Sequence, residues 1–243
     1  IRREKRPAHY CGVMAHWSDT LAVFDTETTG LSTRDDRIVT AFIGVIGPDG
    51  SLIESHSWLA DPGVVIPPRA TEVHGVSTQM AQEQGRPAAE VVGEVMDVLH
   101  EVVGKSLALV AFNASYDLSL THREAQRHGI RPLDNPRPIV DPLVIDRALD
   151  PYRRGKRTLD MVSLHYGVTN PAAHNAEGDA VTSGKVAQAI AKAYPDNMSD
   201  PQELHDKQVD WAFKWAESFR RYLESKGRPA NGVSGAWPLD EGL

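Results

Sequence analysis

The chain of 243 residues has a single cysteine, Cys11. No disulfide can therefore form within it, and a reducing, cytoplasmic setting is expected. Long apolar runs are missing too: none approaches the roughly 20 residues that span a bilayer, so no membrane partner is expected. The opening stretch IRREKRPAHYCGVMAHW is basic but has no apolar core, which argues against a secretory signal. It begins with Ile, Met14 is a candidate native start, and residues 1–18 are expected to be an extension outside the fold, disordered or not native. There is no excess of positive charge. With 33 Asp and Glu against 26 Lys and Arg the net charge is −7, which argues against a protein that holds nucleic acid by bulk electrostatics. Acidic proteins still act on nucleic acid when carboxylates hold metal and the basic residues cluster. There is no internal repeat, and the 41% hydrophobic content is enough for a substantial core.

What is present begins with FDTETTG, residues 24–30. Leu21 to Phe24 reads as a buried strand and Thr28-Thr29-Gly30 as a turn. Alternate residues of a strand share a face, so Asp25 and Glu27 point the same way. At ~3.3 Å rise per residue their Cβ atoms lie roughly 6.5 Å apart. Two like charges so placed repel unless a cation lies between them or one stays protonated. Magnesium or manganese, which prefer oxygen ligands, suit such a pair. The plainer alternative is a solvated strand end with Glu27 capping the turn.

Two β-rich runs, 37–46 and 51–59, flank Pro48-Asp49-Gly50, a hairpin signal that predicts a three-stranded antiparallel start. Residues 64–68 read as a loop before a helix at 88–103. Further on the pattern predicts a strand at Leu107–Phe112, a helix at 116–128, a strand at Ile139-Val140 and helices at 142–149, 158–166 and 176–193. The order predicts an α/β fold, a mixed sheet of three antiparallel strands plus parallel strands flanked by helices. A boundary is expected near Tyr194–Asn197, dividing a domain of residues 19–195 from a C-terminal helix, 201–225, and tail in 196–243.

Three further stretches bear on the carboxylate pair. In AFNASYDLSL, 111–120, Asp117 sits in the first turn of a helix; in HNAEGDA, 174–180, His174 precedes Asp179 by five positions; EVHGVS, 72–77, carries His74-Gly75. Singly, Asp117 and Asp179 read equally well as acids favoured at helix N-termini. Together, FDTETTG, NxxYD and HNAEGDA resemble the three motifs of the DnaQ-like, DEDDh group of 3′–5′ exonucleases, which includes the proofreading epsilon subunit of bacterial DNA polymerase III. The resemblance spans roughly residues 20–193, with EVHGVS and IVDPLVIDRAL also similar to family segments. Phe112 and Tyr116 depart from the commonest pattern, on the substrate side.

The resemblance implies a ribonuclease-H-like fold and a two-metal phosphodiester hydrolase. Asp25, Glu27, Asp117 and Asp179 would hold two Mg²⁺ or Mn²⁺ ions. Asp25 would bridge them, Glu27 and Asp179 would serve the nucleophile side, and Asp117 the leaving-group side. His174 would take the proton of the attacking water. Thr26, Thr28, His74 and Asn113 are expected at the substrate, and Leu31 and Val76 as wedges under the terminal base. The run RALDPYRRGKRT, 147–158, carries Arg147, Arg153, Arg154, Lys156 and Arg157 against only Asp150, a patch expected to track phosphates near the site or else a solvated loop.

The expected partner is nucleic acid with a free 3′ end, DNA ahead of RNA, and an exoribonuclease of the same fold is the alternative. In the last helix Trp211, Trp215, Phe219 and Tyr222 share a face. That face is expected to pack on the chain's own domain, or else to dock a replicative DNA polymerase or a second copy. A non-catalytic polymerase-binding adaptor on this fold is the remaining class, and the complete catalytic set argues against it.

Overall fold

The computed structural model describes residues 16–170, 173–198 and 200–243. Cys11, Met14 and most of the expected N-terminal extension lie outside these. Residues 16–18 belong to the fold, because the His16 ring bonds the Met198 carbonyl at 2.8 Å and Ser18 is buried.

Strand β1 (Leu21–Thr28) continues through both carboxylates and takes in Thr28, which the sequence places in the turn. It pairs antiparallel with β2 (Ile38–Ile46), which pairs antiparallel with β3 (Leu52–Asp61). The β2–β3 loop turns at Gly50, whose φ of 73° is costly for a residue with a Cβ. Two helices follow where sequence reading has only a loop: α1 (Pro68–His74), closed by Gly75 at φ 79°, and α2 (Thr78–Gln84), capped by the Ser77 hydroxyl. A two-residue strand β4 (Arg86–Pro87) pairs parallel with β3 at an edge.

The second half alternates α3 (Ala88–Gly104), β5 (Leu109–Val110), α4 (Ala114–Arg127), β6 (Ile139–Val140), α5 (Pro142–Leu149), α6 (Leu159–His165), α7 (Ala176–Ala193) and α8 (Pro201–Ser225). The sheet order is β4-β3-β2-β1-β5-β6, with β5 parallel to β1 and β6 parallel to β5. This is the mixed sheet expected from the sequence, with β4 added. The expected strand 107–112 keeps only two ladder residues, since Asn113 at φ 64° turns the chain into α4.

Strand alternation divides the core. Ala22 and Phe24 face one side with Val95 and Leu99 of α3 and Leu118 of α4; Leu21 and Val23 face the other with Val186 and Ile190 of α7. β1 is therefore buried on both faces, and its end is held rigidly between helices.

The α8 helix seals the open edge beside β6, which would otherwise leave unpaired backbone groups. His205 Nδ1 accepts from the Ile139 N–H at 3.1 Å, and Gln208 accepts from the Asp141 N–H at 2.7 Å and donates to the Ile139 carbonyl at 2.9 Å. The tail then returns across the domain. Trp237 is buried in the α3–α4 core, and the Asp240 N–H donates to Ser119 Oγ at 2.8 Å. Among the described residues, no helix is long and apolar enough to cross a membrane.

Because Trp237 fills a core position, Trp237→Ala is expected to cost about 3–5 kcal/mol of global stability. Denaturant unfolding would show one transition with a lowered midpoint, whereas a tail that merely rests on the domain would leave the midpoint unchanged.

Candidate active site

The end of β1 meets the first turns of α4 and α7, and these three elements bring the acidic residues together. Ligand oxygens of Asp25, Glu27 and Asp179 can lie within 4.8 Å of one another. Asp117, nearly fully buried, joins them from α4, where Thr26 bonds its Oδ1 twice, by the backbone N–H at 3.0 Å and by the hydroxyl at 2.7 Å. Asp179 is held from two sides. The Asn170 amide donates to Oδ1 at 2.8 Å and the His174 backbone N–H to Oδ2 at 3.1 Å.

The electrostatics follow from crowding and desolvation. Burial first, then the charges of Asp117, Glu27 and Asp179, hold the Asp25 carboxyl well above the ordinary carboxylate range. Burial and the charges of Asp179 and Asp117 push Glu27 up to about 7, against a smaller opposing pull from His174. Burial also raises Asp117 to about 7, although the bonds from Thr26 favour its ionised form. An all-oxygen donor set that resists ionising until compensated fits a hard divalent cation.

His174 stands at φ 65°, exposed, on the loop before α7. Asn113 is also left-handed and exposed at the start of α4, and its side chain makes no cap bond. Leu31 is 88% exposed beside the turn, free to meet a ligand.

Other expected contacts are placed differently. Thr26 and Thr28 are buried; Thr26 is committed to Asp117, and Thr28 Oγ1 donates to the Gly30 carbonyl at 2.7 Å and lies 2.6 Å from the Tyr116 hydroxyl. Their hydroxyls brace the site, tying β1 to α4 and to the Gly30 turn. Val76 is buried with Val39, Ile66 and Ala81, so its apolar surface is not available as a wedge. His74 ends α1 half-buried, its Nδ1 accepting from the Val76 N–H at 3.2 Å and its Nε2 without a partner among the described residues.

In the basic run, Arg153 and Arg157 turn inward onto Asp146, which is fully buried. Arg157 also donates to the Asp150 and Arg153 carbonyls. Arg154 and Lys156 stay exposed.

Three residues have structural roles that sequence reading did not assign. Asn170 orients Asp179, and the Tyr116 hydroxyl ties α4 to the turn after β1. The third is Asp141, which caps α5 through the Leu143 N–H at 2.9 Å and accepts from Asn113 and Ala114 N–H at 3.0 and 2.9 Å. Tyr116 was visible only as a departure from the family motif, Asp141 only within IVDPLVIDRAL and through the Asp-Pro pair at 141–142, a helix-start signal, and nothing pointed to Asn170.

The family model described as Exonuclease matches residues 22–187. The chain is 31% identical over 191 residues to a PolC-type DNA polymerase III of Clostridium perfringens, covering 78% of this chain and 12% of that protein. It is 31% identical over 167 residues to the DNA polymerase III subunit epsilon of Treponema pallidum, covering 68% of this chain and 73% of that one. The chain thus spans about an eighth of the PolC-type relatives it matches. Among solved structures it is similar to Escherichia coli exonuclease I in complex with a dT13 oligonucleotide, at TM-score 0.60 and 16% identity over 85% of this chain and 46% of that one. That likeness establishes the ribonuclease-H-like fold.

The raised carboxyls have a consequence for stability. A carboxyl whose folded value lies above its unfolded value stabilises the fold while protonated, and that contribution is lost as pH rises through the folded value. Metal-free protein is therefore expected to lose thermal stability between about pH 4 and pH 7, the window set by Glu27, whose ordinary value is 4.5 and whose folded value is about 7. Asp25→Asn should flatten the decline. Thermal melts across this range, with and without Mg²⁺, check both statements, and the metal should raise the midpoint more at pH 8 than at pH 5.

Proposed function

Because the chain belongs to the exonuclease family, we propose that it is a 3′–5′ exonuclease of the DEDDh type, removing nucleotides from single-stranded or mismatched 3′ ends of DNA. The observation that carries this reading is the convergence of Asp25, Glu27 and Asp179, with Asp117 beside them and His174 on the adjoining loop. The relation to DNA polymerase III epsilon supports DNA over RNA, and supports proofreading beside a replicative polymerase in the cytoplasm.

Two ions, Mg²⁺ or Mn²⁺, would be held by Asp25, Glu27, Asp117 and Asp179. Bound there, they supply positive charge for the developing oxyanions and lower the pKa of water. The chain's own residues do the rest. Thr26 fixes the direction of Asp117, and Asn170 that of Asp179, so neither carboxylate reorients during turnover. The His174 imidazole takes the proton from the attacking water, the role of a positioned general base. Leu31 offers an apolar surface to the terminal base, and the Asn113 amide is free to bond the sugar or phosphate.

The direct test is digestion of matched 3′-labelled single-stranded DNA, mismatched duplex DNA and RNA, with Mg²⁺ or Mn²⁺ and with EDTA. Asp25→Ala is expected to abolish turnover without unfolding the protein; near-normal turnover in that variant would sink the two-metal reading. Faster digestion of RNA than of either DNA would assign the chain to RNA instead.

A second variant isolates the base. His174→Ala should lower turnover by roughly 10²–10⁴-fold while metal affinity, read by calorimetry, changes little. Loss of metal binding as severe as in Asp179→Ala would make His174 a ligand.

A further inference from the structure

The loop after α5 and one face of α8 enclose a groove of about 1180 Å³ that the carboxylate cluster does not use. α8 lines it with Trp215, Phe219 and Tyr222, whose rings stack at 5.1 and 6.3 Å between centroids and within 18° and 16° of parallel. The Arg147 guanidinium closes one end of this stack, 3.8 Å from the Trp215 ring centroid, and the Lys226 ammonium lies 5.9 Å from Tyr222 at the other. Lys156 is exposed on the facing loop, and Lys214 stands at the rim in an exposed pair with Asp210. Among the described residues no carboxylate lines the groove, although acids outnumber bases in the chain by 33 to 26.

A positive, aromatic, acid-free lining is complementary to a polyanion that carries flat π surfaces. The groove is also tied to the site through Asp141. That carboxylate caps α5, which bears Arg147, and accepts from the first N–H groups of α4, which bears Asp117.

We infer that the groove carries the 5′ portion of a single nucleic-acid strand whose 3′ end lies at the carboxylates. Phosphates are met by Arg147 and Lys156, and bases lie against Trp215, Phe219 and Tyr222. The inference rests on the nuclease reading above and adds a path for the strand. It replaces the tracking role expected of Arg153 and Arg157, whose guanidinium groups are held by Asp146.

The test measures binding of fluorescein-labelled dT20 and dT3 by anisotropy in an Asp25→Ala background, with Tyr222→Ala and Lys156→Glu added singly and together. Both side chains are exposed, so the fold should survive, and circular dichroism checks that it does. The ratio of dT20 to dT3 affinity is expected to fall on the order of tenfold, as removal of a stacking ring does elsewhere. The slope of log K against log salt should flatten by about 0.7 for each phosphate that the variant no longer neutralises.

An unchanged ratio with an unchanged slope overturns the inference. So does the reverse pattern, in which Lys156→Glu abolishes binding of an Asp- and Phe-rich peptide and leaves dT20 untouched, since the groove would then take a protein. Wild-type cleavage of dT3 is read separately. Its absence would sink the nuclease reading, while the binding ratio would still decide the groove.

Discussion

Asp25 stands among Glu27, Asp117 and Asp179 in a partly buried site, and the neighbouring carboxylates oppose the ionisation of both Asp25 and Glu27. Groups that repel in this way separate if the backbone allows it. Here it does not. β1 is locked in the sheet between β2 and β5 and is buried on both faces, so Asp25 and Glu27 cannot withdraw. α7 packs tightly enough that a Cβ on Gly184 would stand 2.5 Å from Val23 and 2.6 Å from Ile46, which fixes the helix that carries Asp179. The core thus holds the acidic cluster in place, and the repulsion it sustains is what a bound cation would relieve.

A second layer of polar groups keeps the carboxylates in one orientation. Thr26 on Asp117 and Asn170 on Asp179 each use a neutral donor, which directs a carboxylate oxygen without cancelling its charge, and the Tyr116 hydroxyl holds the Gly30 turn. A lysine or arginine at any of these places would have neutralised the site and competed with a metal. Asp141 is the exception in kind, a buried carboxylate satisfied by three backbone N–H groups and, at 3.3 Å, by the Trp237 indole. Through it the tail, α5 and the start of α4 share one anchor.

Much of this was legible in the chain because periodicity and motif spacing are local. The three antiparallel strands, α5, α7 and α8 follow from apolar patterning and from breakers such as Pro142, Pro195 and Pro201, and the acidic set follows from three short motifs. The failures have a common cause. α1 and α2 are seven-residue helices with at most one buried residue each, too short to show an apolar stripe. The inward turn of Arg153 and Arg157 depends on Asp146, seven and eleven positions earlier, and a run of like charges does not disclose a buried partner. The burial of Val76, Thr26 and Thr28 was not legible either, because a motif reports which residues gather at a site, not which way each side chain faces.

The acidic balance of the whole chain acquires a structural sense at this point. Excess negative charge repels nucleic acid over much of the surface and is screened weakly at low salt. Against that background an acid-free groove framed by Arg147 and Lys156 would, on the proposed reading, be a preferred path for a polyanion. The carboxylates at the end of β1 would repel the same polyanion unless divalent cations reverse their sign. On that reading, attraction along the groove and repulsion at the bare cluster together would make productive seating of a strand conditional on the metal. A strand held in the groove of metal-free protein would stop short of the carboxylates, so the charge distribution couples where the strand lies to whether the site is able to act on it.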